Sequence, residues 1–285
     1  MSGSIGSDRK ATGLSFSLFD EAPALHRAVL AVALGLLIAA AEARAADPSA
    51  EEAERARRIE YIQKAVKGDI SPVPGRKMVS AGTGFFVAPR NILTNRHVVL
   101  GCAAVTVRGI DGKTAVGTVL AADKDEDLAL VRSETTPDRI ATFRAATTYT
   151  TGAAIATIGY PDQGLPRIEP FLTKGTVLGP DRDDGRAARF VIKADIRHGN
   201  SGGPVFDTQG TVIGILNARI DTVRTYRSTG RTVDNVGFAI ANGPVFAFLS
   251  RQKVPLTVNE SRVIVPEPDL LTIVKTFTVR IGCWR

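Results

Sequence analysis

The sequence predicts an all-β fold, on the strength of two observations. From Met78 onward, short apolar runs alternate with turns rich in Gly, Asp and Pro, a pattern typical of β-barrels or sandwiches. The Asp111-Gly112 pair between two of these runs is a hairpin signal. The runs form two groups of about six strands, with a boundary near 146–151: 80–88, 91–95, 103–108, 114–122 and 127–132, then 153–158, 171–178, 188–194, 204–207, 211–217 and 236–241.

The chain begins with a segment typical of a secretory signal. The apolar run Leu30–Ala41 follows Arg27 and leads to Ala43-Arg44-Ala45, which fits a cleavage site after small residues. The run is shorter than a membrane span requires. We therefore expect a signal peptide over 1–45 and bacterial-type export to the periplasm or the medium. An uncleaved N-terminal anchor is the alternative, and membrane contact is expected only in that case.

Helical patterns flank the strand-rich region. A helix is predicted after the signal, because Ser49 and Glu52 form a capping box and Gly68 follows as a stop. A short helix is predicted over 241–252, and 276–283 alternates like an edge strand. The expected divisions are an N-terminal helix and linker (46–77), one main domain (78–250) and a C-terminal extension (251–285), in which 270–274 fits either a helix or an extended segment.

The composition is that of a globular protein with a basic surface. Of 285 residues, 44% are hydrophobic and 23% are charged, which excludes a disordered chain. The segment 1–45 holds four basic and four acidic residues, so the net charge of +7 stays with the mature protein. We interpret it as an Arg-rich solvated surface, with attraction to acidic wall or membrane surfaces as the alternative. No basic run interleaved with aromatic residues indicates nucleic-acid binding.

Two cysteines and three histidines limit the other chemistry. Their spacing fits no metal site, so we expect neither a metal nor another cofactor. Export permits a disulfide, and Cys102 and Cys283 have only each other as intramolecular partners. We expect them to be bridged, with two separate buried thiols as the alternative.

The most informative stretch is the hexapeptide Gly199-Asn200-Ser201-Gly202-Gly203-Pro204. Glycines let the backbone turn tightly and aim several N–H groups at one point. A serine on such a turn is suited to nucleophilic attack, with the neighbouring N–H groups stabilising an oxyanion. An ordinary glycine-rich turn is the alternative when the motif is taken alone.

Two further motifs lie upstream of this serine. His97 lies in Thr94-Asn95-Arg96-His97-Val98-Val99, and Asp127 opens the apolar run 127–131. The order His, Asp, Ser is the one found for Ser-His-Asp triads on paired β-barrels. The chain resembles the trypsin-like (chymotrypsin-fold) serine proteases, and most closely their bacterial HtrA/DegP-type members. The resemblance covers about 80–241 and is carried by GTGFFVAPRNILTNRHVV, DLALVR, GNSGGPVFDTQGTVIGI and GFAIA.

The resemblance implies a fold and an activity. The fold is two six-stranded antiparallel β-barrels, the first over about 78–146 and the second over about 147–250. The activity is that of an exported serine endopeptidase, which hydrolyses unfolded or extended polypeptides through an acyl-enzyme. No further domain fits after residue 250, so we expect the chain to lack the PDZ module that HtrA-type proteases usually carry.

The resemblance and the chemistry together assign catalytic roles. Ser201 is the expected nucleophile and His97 the base, with His198 as the rival histidine. Asp127 is expected to orient the imidazole, with Asp123 and Asp125 as rival acids. The oxyanion hole is expected at Gly199, Asn200 and Ser201, where the first and last supply N–H groups and Asn200 shapes the turn.

Substrate-binding residues are predicted around the same loop. Asp195 lies six residues before the serine, where trypsin-like enzymes of basic specificity place the carboxylate of the S1 pocket. The alternative is a loop ion pair with Arg197 or Lys193, which leaves a small apolar pocket. His198 is expected to face the substrate. The remaining prediction is that an extended substrate pairs with the strand that contains Gly237, Phe238 and Ala239.

Two other functions remain open at this stage. One is a catalytically weak or inactive protein of the same fold that binds polypeptides as a holdase. The other is a wall- or membrane-surface protein that uses the positive charge. An esterase is disfavoured, because esterases usually show G-x-S-x-G together with the order Ser, Asp, His, and this combination is absent from the sequence.

Overall fold

The structure is a computed structural model that describes residues 49, 52–53, 55–57, 72–146, 149–161, 168–181, 188–219 and 234–285. Residues 1–63 and 64–285 form two compact units. In the first unit the described residues are all helical. The signal-like run Leu30–Ala41 and the stop at Gly68 lie outside the described residues. No helix in the described part of the chain is long and apolar enough to cross a membrane.

The described residues of the second unit contain twelve strands. They are β1 (Met78–Ala88), β2 (Asn91–Asn95), β3 (Ala104–Arg108), β4 (Thr114–Asp123), β5 (Leu128–Ser133), β6 (Ala154–Gly159), β7 (Phe171–Pro180), β8 (Arg189–Ala194), β9 (Pro204–Phe206), β10 (Val212–Arg219), β11 (Val236–Ala241) and β12 (Thr278–Trp284).

The strands close into two antiparallel barrels of six strands each, which confirms the predicted fold class. Barrel 1 has the order β1-β12-β3-β4-β5-β2, and barrel 2 has the order β10-β11-β8-β7-β6-β9. In both barrels, side chains alternate between the interior and the outer face, as the period of a β-strand requires. Closure leaves no unpaired sheet edge within a barrel.

The last strand corrects the prediction for the C-terminal segment. The predicted edge strand at 276–283 is wrong, because β12 pairs with β1 on one side and with β3 on the other. Alternation along a sequence shows which face of a strand is buried, but not how many neighbours the strand has. Barrel 1 therefore takes five strands from 78–133 and its sixth from the end of the chain.

Three helices accompany the barrels among the described residues that follow position 71. Helix α1 (Arg96–Val99) directly follows β2, α2 (Asn242–Arg251) follows β11 at the predicted place, and α3 (Glu267–Val274) precedes β12. The ambiguous segment 270–274 is helical. Pro266 precedes the helix, and Glu267 and Asp269 lie in its first turn, where acidic side chains interact favourably with the helix dipole.

A continuous apolar core connects the barrels. Phe85 of β1 packs against Phe143 of the connecting segment, with ring centroids 6.2 Å apart. Phe206 of β9 packs against Phe277, just before β12, at the same distance of 6.2 Å. Burial of each large apolar side chain contributes about 1.5–3 kcal/mol. This shared core holds the loops of the two barrels in a fixed relation.

A disulfide fastens the C-terminal strand. The structure joins Cys102, just after α1, to Cys283 of β12, the pairing expected from the sequence. The two Cα atoms are 5.2 Å apart, and the bridge spans a sequence separation of 181 residues. In the chain-entropy model, closing so long a loop contributes about 5 kcal/mol.

Candidate active site

His97 is held at two points by one carboxylate. It lies in α1, at the end of β2, and its Nδ1 is 2.6 Å from Oδ2 of Asp127. The main-chain N–H of His97 donates to Oδ1 of the same carboxylate at 2.9 Å. The N–H of Arg96 donates to the Asp127 carbonyl at 2.9 Å. These bonds fix the imidazole in one orientation, while its side chain stays 45% exposed.

Asp127 is itself constrained by barrel 2 and by its own backbone. Nδ2 of Asn217, on β10, donates to Oδ2 of Asp127 at 2.9 Å. Asp127 adopts the left-handed region with a φ of 54°, which few residues other than glycine favour. Burial opposes ionisation of Asp127, but the interactions with His97 and Asn217 outweigh burial and lower its pKa. The carboxylate is therefore ionised beside the imidazole.

The rival acids Asp123 and Asp125 lie at the end of β4 and in the β4–β5 turn that also contains Asp127, but their hydrogen bonds within the described part of the chain do not involve His97. Oδ1 of Asp123 accepts the N–H groups of Asp125 and Glu126, each at 3.0 Å. Oδ2 of Asp123 pairs with Arg251 of α2 at 2.6 Å. These contacts leave Asp127 as the acid that the structure brings to His97.

The Ser201 loop rests on barrel 1. The N–H of Thr83, on β1, donates to the Ser201 carbonyl at 2.8 Å, and the Thr83 hydroxyl donates to the Gly199 carbonyl at 2.6 Å. On the other side, the N–H of Gly202 donates to the Leu216 carbonyl at 2.8 Å. A Cβ atom on Gly202 would lie 2.1 Å from the Thr83 carbonyl oxygen, so only glycine fits there.

The loop geometry suits an oxyanion hole. In a trans peptide, the N–H of Ser201 points opposite to the Asn200 carbonyl, and that carbonyl is fixed because it accepts the N–H of Gly203 at 3.0 Å. Gly199 has a φ of 93°, which glycine adopts without strain. Within the described part of the chain, the N–H groups of Gly199 and Ser201 donate to no protein acceptor. Asn200 lies between them and is 1% exposed.

Asp195 forms a loop ion pair with Arg197, which is the predicted alternative to an acidic S1 pocket. Its Oδ2 pairs with Nη2 of Arg197 at 2.6 Å, and this contact raises the pKa of Arg197. The side chain of Asp195 is 48% exposed. A basic P1 side chain would have to displace Arg197 from this pair, so the geometry favours the loop ion pair over an acidic S1 pocket. His198 is exposed on the same loop.

The predicted substrate strand is wrong. Gly237, Phe238 and Ala239 belong to β11, which is paired on both sides. Their partners are Arg219, Ala218 and Leu216 on β10, and Ile192, Val191 and Phe190 on β8. A substrate cannot add to a strand whose hydrogen-bonding edges are both occupied. The sequence pattern did not distinguish a central strand from an edge strand.

The comparison with family models decides the family. Residues 82–215 match the family model described as a trypsin-like peptidase domain. The matched segment begins in β1 and ends in β10. The chain carries a trypsin-like peptidase domain.

Curated proteins that resemble the trypsin-like domain include three from bacteria. The uncharacterized protein y4bJ of Sinorhizobium fredii is 32% identical over 206 residues, covering 72% of this chain and 32% of that protein. The serine protease Rv3671c of Mycobacterium tuberculosis is 33% identical over 188 residues, covering 64% and 44%. The serine protease Do-like HtrA of Bacillus subtilis is 31% identical over 179 residues, covering 58% and 37%. The chain thus spans less than half the length of these relatives.

A solved structure resembles the trypsin-like domain in three dimensions. The crystal structure of the Rv3671c protease in an inactive form is 27% identical, with a TM-score of 0.51. The match covers 62% of this chain and 86% of that one. The fold and the sequence therefore agree on the same family.

Sequence reasoning missed two residues of the trypsin-like site. Asn217 is a polar residue, 9% exposed, within an apolar strand. A buried amide at such a position is expected to have a hydrogen-bond partner. Thr83 is fully buried between two glycines of β1. In both cases the available signal was a polar residue within an apolar run. The partners of Thr83 and Asn217 lie in the other barrel, so the sequence did not identify them.

Proposed function

We propose that the chain is a serine endopeptidase that hydrolyses peptide bonds through an acyl-enzyme, with Ser201, His97 and Asp127 as its triad. The observation that carries this proposal is the two-point hold of Asp127 on His97. A carboxylate at Nδ1 fixes the imidazole tautomer that leaves Nε2 free to accept a proton. A strained backbone at Asp127 supports the hold, and such strain is commonly kept at functional sites.

The chemistry proceeds in two halves. The Ser201 hydroxyl attacks the substrate carbonyl as His97 takes its proton, and the N–H groups of Gly199 and Ser201 stabilise the oxyanion. The imidazolium then gives the proton to the leaving amine, which departs and leaves an ester on Ser201. Water, deprotonated by His97, attacks that ester, and the imidazolium returns the proton to the Ser201 oxygen as the acyl–oxygen bond breaks and the acid is released. Asp127 stabilises the imidazolium in both halves.

Extended or unfolded polypeptides are the proposed substrates. The relatives named as serine proteases support a polypeptide substrate. We propose export as the setting, because the signal-like segment precedes the domain and the Cys102–Cys283 bridge is stable in an oxidising compartment. The alternative is a holdase on the same fold. The pre-oriented imidazole favours an enzyme, since a binding protein gains nothing from it.

A phosphonate probe tests the proposal. An alkyl fluorophosphonate should label Ser201 alone, and Ser201→Ala should remove both the labelling and the peptidase activity of a folded protein. His97→Ala should abolish turnover, while His198→Ala should retain it. Peptidase activity that persists in Ser201→Ala, or loss with His198→Ala alone, would refute the assigned triad. Stable peptide binding without turnover in the unmodified protein would instead support the holdase.

A further inference from the structure

Thr83 of β1 lies where barrel 1, the Ser201 loop and the end of β6 meet. It is 0% exposed, so its hydrogen bonds form away from water, where they are stronger. The hydroxyl donates to the Gly199 carbonyl at 2.6 Å and accepts the N–H of Tyr160, the residue after β6, at 2.9 Å. An N–H only donates and a carbonyl only accepts, so the single hydroxyl proton is committed to Gly199.

The backbone of Thr83 holds this hydroxyl in place. Its N–H donates to the Ser201 carbonyl at 2.8 Å. Its carbonyl accepts the hydroxyl of Thr94, a fully buried residue of β2, at 2.6 Å. At the same residue β1 is paired with β12. The position of the hydroxyl is therefore set by the sheet of barrel 1 and not by the loop that it contacts.

The Gly199 carbonyl belongs to the peptide plane that separates the two proposed oxyanion donors. The N–H of Gly199 lies in the plane before it, and the N–H of Ser201 lies in the plane after it. The orientation of the middle plane therefore sets the angle between the two donors. Thr83 holds this plane at its carbonyl, and the N–H of Asn200 on its other side donates to the Arg197 carbonyl at 3.2 Å.

Glycine makes the middle plane easy to turn. Gly199 has a φ of 93°, and a residue without Cβ adopts positive and negative φ about equally readily. The plane after Asn200 has a restraint within the loop, because the Asn200 carbonyl accepts the N–H of Gly203 at 3.0 Å. The bond from Thr83 differs because it comes from the other barrel. It thus ties the middle plane to the closed sheet of barrel 1.

We propose that Thr83 is a positioning residue for the oxyanion hole, whose hydroxyl holds the Gly199–Asn200 peptide so that the N–H groups of Gly199 and Ser201 converge. This inference rests on the proposed peptidase function. Thr83 is fully buried, so it touches neither the substrate nor the reacting atoms. Its hydroxyl acts on the transition state through Gly199, and binding of the substrate in the ground state does not depend on it.

Thr83→Val tests the hydroxyl, because valine has nearly the same shape and neither donates nor accepts a hydrogen bond. Loss of a whole oxyanion donor typically lowers kcat by about 100- to 1,000-fold. A donor that is only misdirected should cost less, so Thr83→Val should lower kcat by about 10- to 100-fold. KM should change little, since the lost interaction belongs to the transition state. Thr83→Ser retains the hydroxyl and should restore most of kcat.

Thr278→Val is the matched control for the lost hydrogen bond. Thr278 is 1% exposed on β12, beside β1, and its hydroxyl donates to the Val274 carbonyl of α3 at 2.7 Å. The variant therefore removes one buried hydroxyl from the same barrel and leaves the bonds to the Ser201 loop in place. It should lower the denaturant midpoint as Thr83→Val does, but keep the parent kcat. Equal losses of kcat in the two variants would reflect general destabilisation and would refute the positioning role.

A transition-state analogue separates the oxyanion hole from substrate binding. In a peptide trifluoromethyl ketone, the Ser201 oxygen adds to the carbonyl as His97 takes the hydroxyl proton, and the resulting oxyanion occupies the hole. Its inhibition constant should rise in Thr83→Val by the factor by which kcat/KM falls, because both report oxyanion stabilisation. In the Ser201→Ala background, fluorescence anisotropy should show equal binding of a peptide substrate with and without Thr83→Val. Weaker peptide binding with an unchanged kcat would assign Thr83 to substrate binding and overturn the proposal.

Amide hydrogen exchange tests the loop without turnover. The N–H groups of Asn200 and Gly203 should exchange faster in Thr83→Val than in Thr83→Ser or Thr278→Val, because the middle plane has lost its restraint. This result would support the positioning role even if the parent protein cleaved no peptide, which would refute the proposed function alone. Unchanged exchange would count against the positioning role, and with an active parent protein it would leave the peptidase intact.

Discussion

Asp127 holds His97 through both of its carboxylate oxygens, one on the imidazole Nδ1 at 2.6 Å and the other on the main-chain N–H at 2.9 Å. The first contact selects the imidazole tautomer, and the second fixes the helix turn that carries the ring. One side chain thus links the orientation of the base to the geometry of its backbone.

Replacement of Asp127 by Asn should disrupt both functions of this carboxylate. The amide cannot stabilise an imidazolium and favours the wrong tautomer, so kcat should fall by about four orders of magnitude. Steady-state kinetics of the parent protein and Asp127→Asn on the same peptide should measure this loss. An unchanged kcat would contradict the proposed role of Asp127.

The pH dependence of stability follows from the same group. The pKa of Asp127 is lowered in the folded protein, so its contribution is present above the unfolded-state value, about 4. That contribution is lost as pH falls through the lower folded-state value. Denaturant unfolding of the parent and Asp127→Asn at pH 7 and pH 3 should therefore show a stability difference that shrinks at the lower pH.

Asn217 is expected to act as a positioning residue. Its amide donates to Oδ2 of Asp127, the same oxygen that meets the imidazole. Loss of a hydrogen bond to a charged group costs about 1.5–3 kcal/mol, so Asn217→Ala should reduce kcat/KM by about tenfold or more. The hydrogen bond from Asn217 lowers the pKa of Asp127, so its removal should raise that pKa and shift the acidic limb of the pH–rate profile.

The hydroxyl variant Asn217→Ser distinguishes positioning from packing. A serine hydroxyl retains a donor, so it should restore part of the activity that alanine loses. If Ser and Ala lowered kcat/KM equally with no change in the pH–rate profile, Asn217 would have only a structural role.

Gly202 should tolerate no side chain. Its φ is 86°, and an added Cβ would lie 2.1 Å from the Thr83 carbonyl oxygen and 2.4 Å from the Thr94 hydroxyl. Gly202→Ala should therefore displace the Ser201 loop from β1, abolish probe labelling and lower the unfolding free energy by about 2 kcal/mol or more.

Gly152 provides the matched control for this variant. Its φ is 84°, but an added Cβ would meet nothing within 4 Å. Gly152→Ala should cost only about 1–2 kcal/mol, the backbone penalty, and should retain labelling. Equal effects of the two substitutions would show that backbone strain, not the contact with Thr83, determines the result.

Local patterns account for what the sequence predicted correctly. Apolar runs bounded by turn residues mark strands such as β1 and β5, because both signals are local in the sequence. Ser201, His97 and Asp127 were identifiable because their residue types carry the chemistry. Pairing across barrels is not local, and Thr83 and Asn217 acquire their roles only from partners in the other barrel.

The same limit explains the two corrections. The strand with Gly237–Ala239 was predicted to receive a substrate, and the segment 276–283 was predicted as an edge. The segment 276–283 alternates in sequence and 236–241 is a short apolar run, but neither pattern shows whether a strand has one neighbour or two. Only the closed topology shows that both are paired on both sides.

The C-terminal strand gives the last prediction. β12 pairs with β1, which carries Thr83, and Cys283 of β12 is bonded to Cys102 beside α1, which carries His97. The native protein should show no free thiol when it is denatured without reductant. Cys283→Ser should lower stability by about 3–5 kcal/mol, because the unfolded chain is then no longer closed into a long loop. The loss should appear first as faster hydrogen exchange in β12 and β1, with a decrease in probe labelling.

Comparison with the variant that lacks both cysteines separates the lost bridge from any effect of the remaining thiol. Detection of two thiols in the native protein, or a variant as stable as the parent, would rule out a structural role for the bridge.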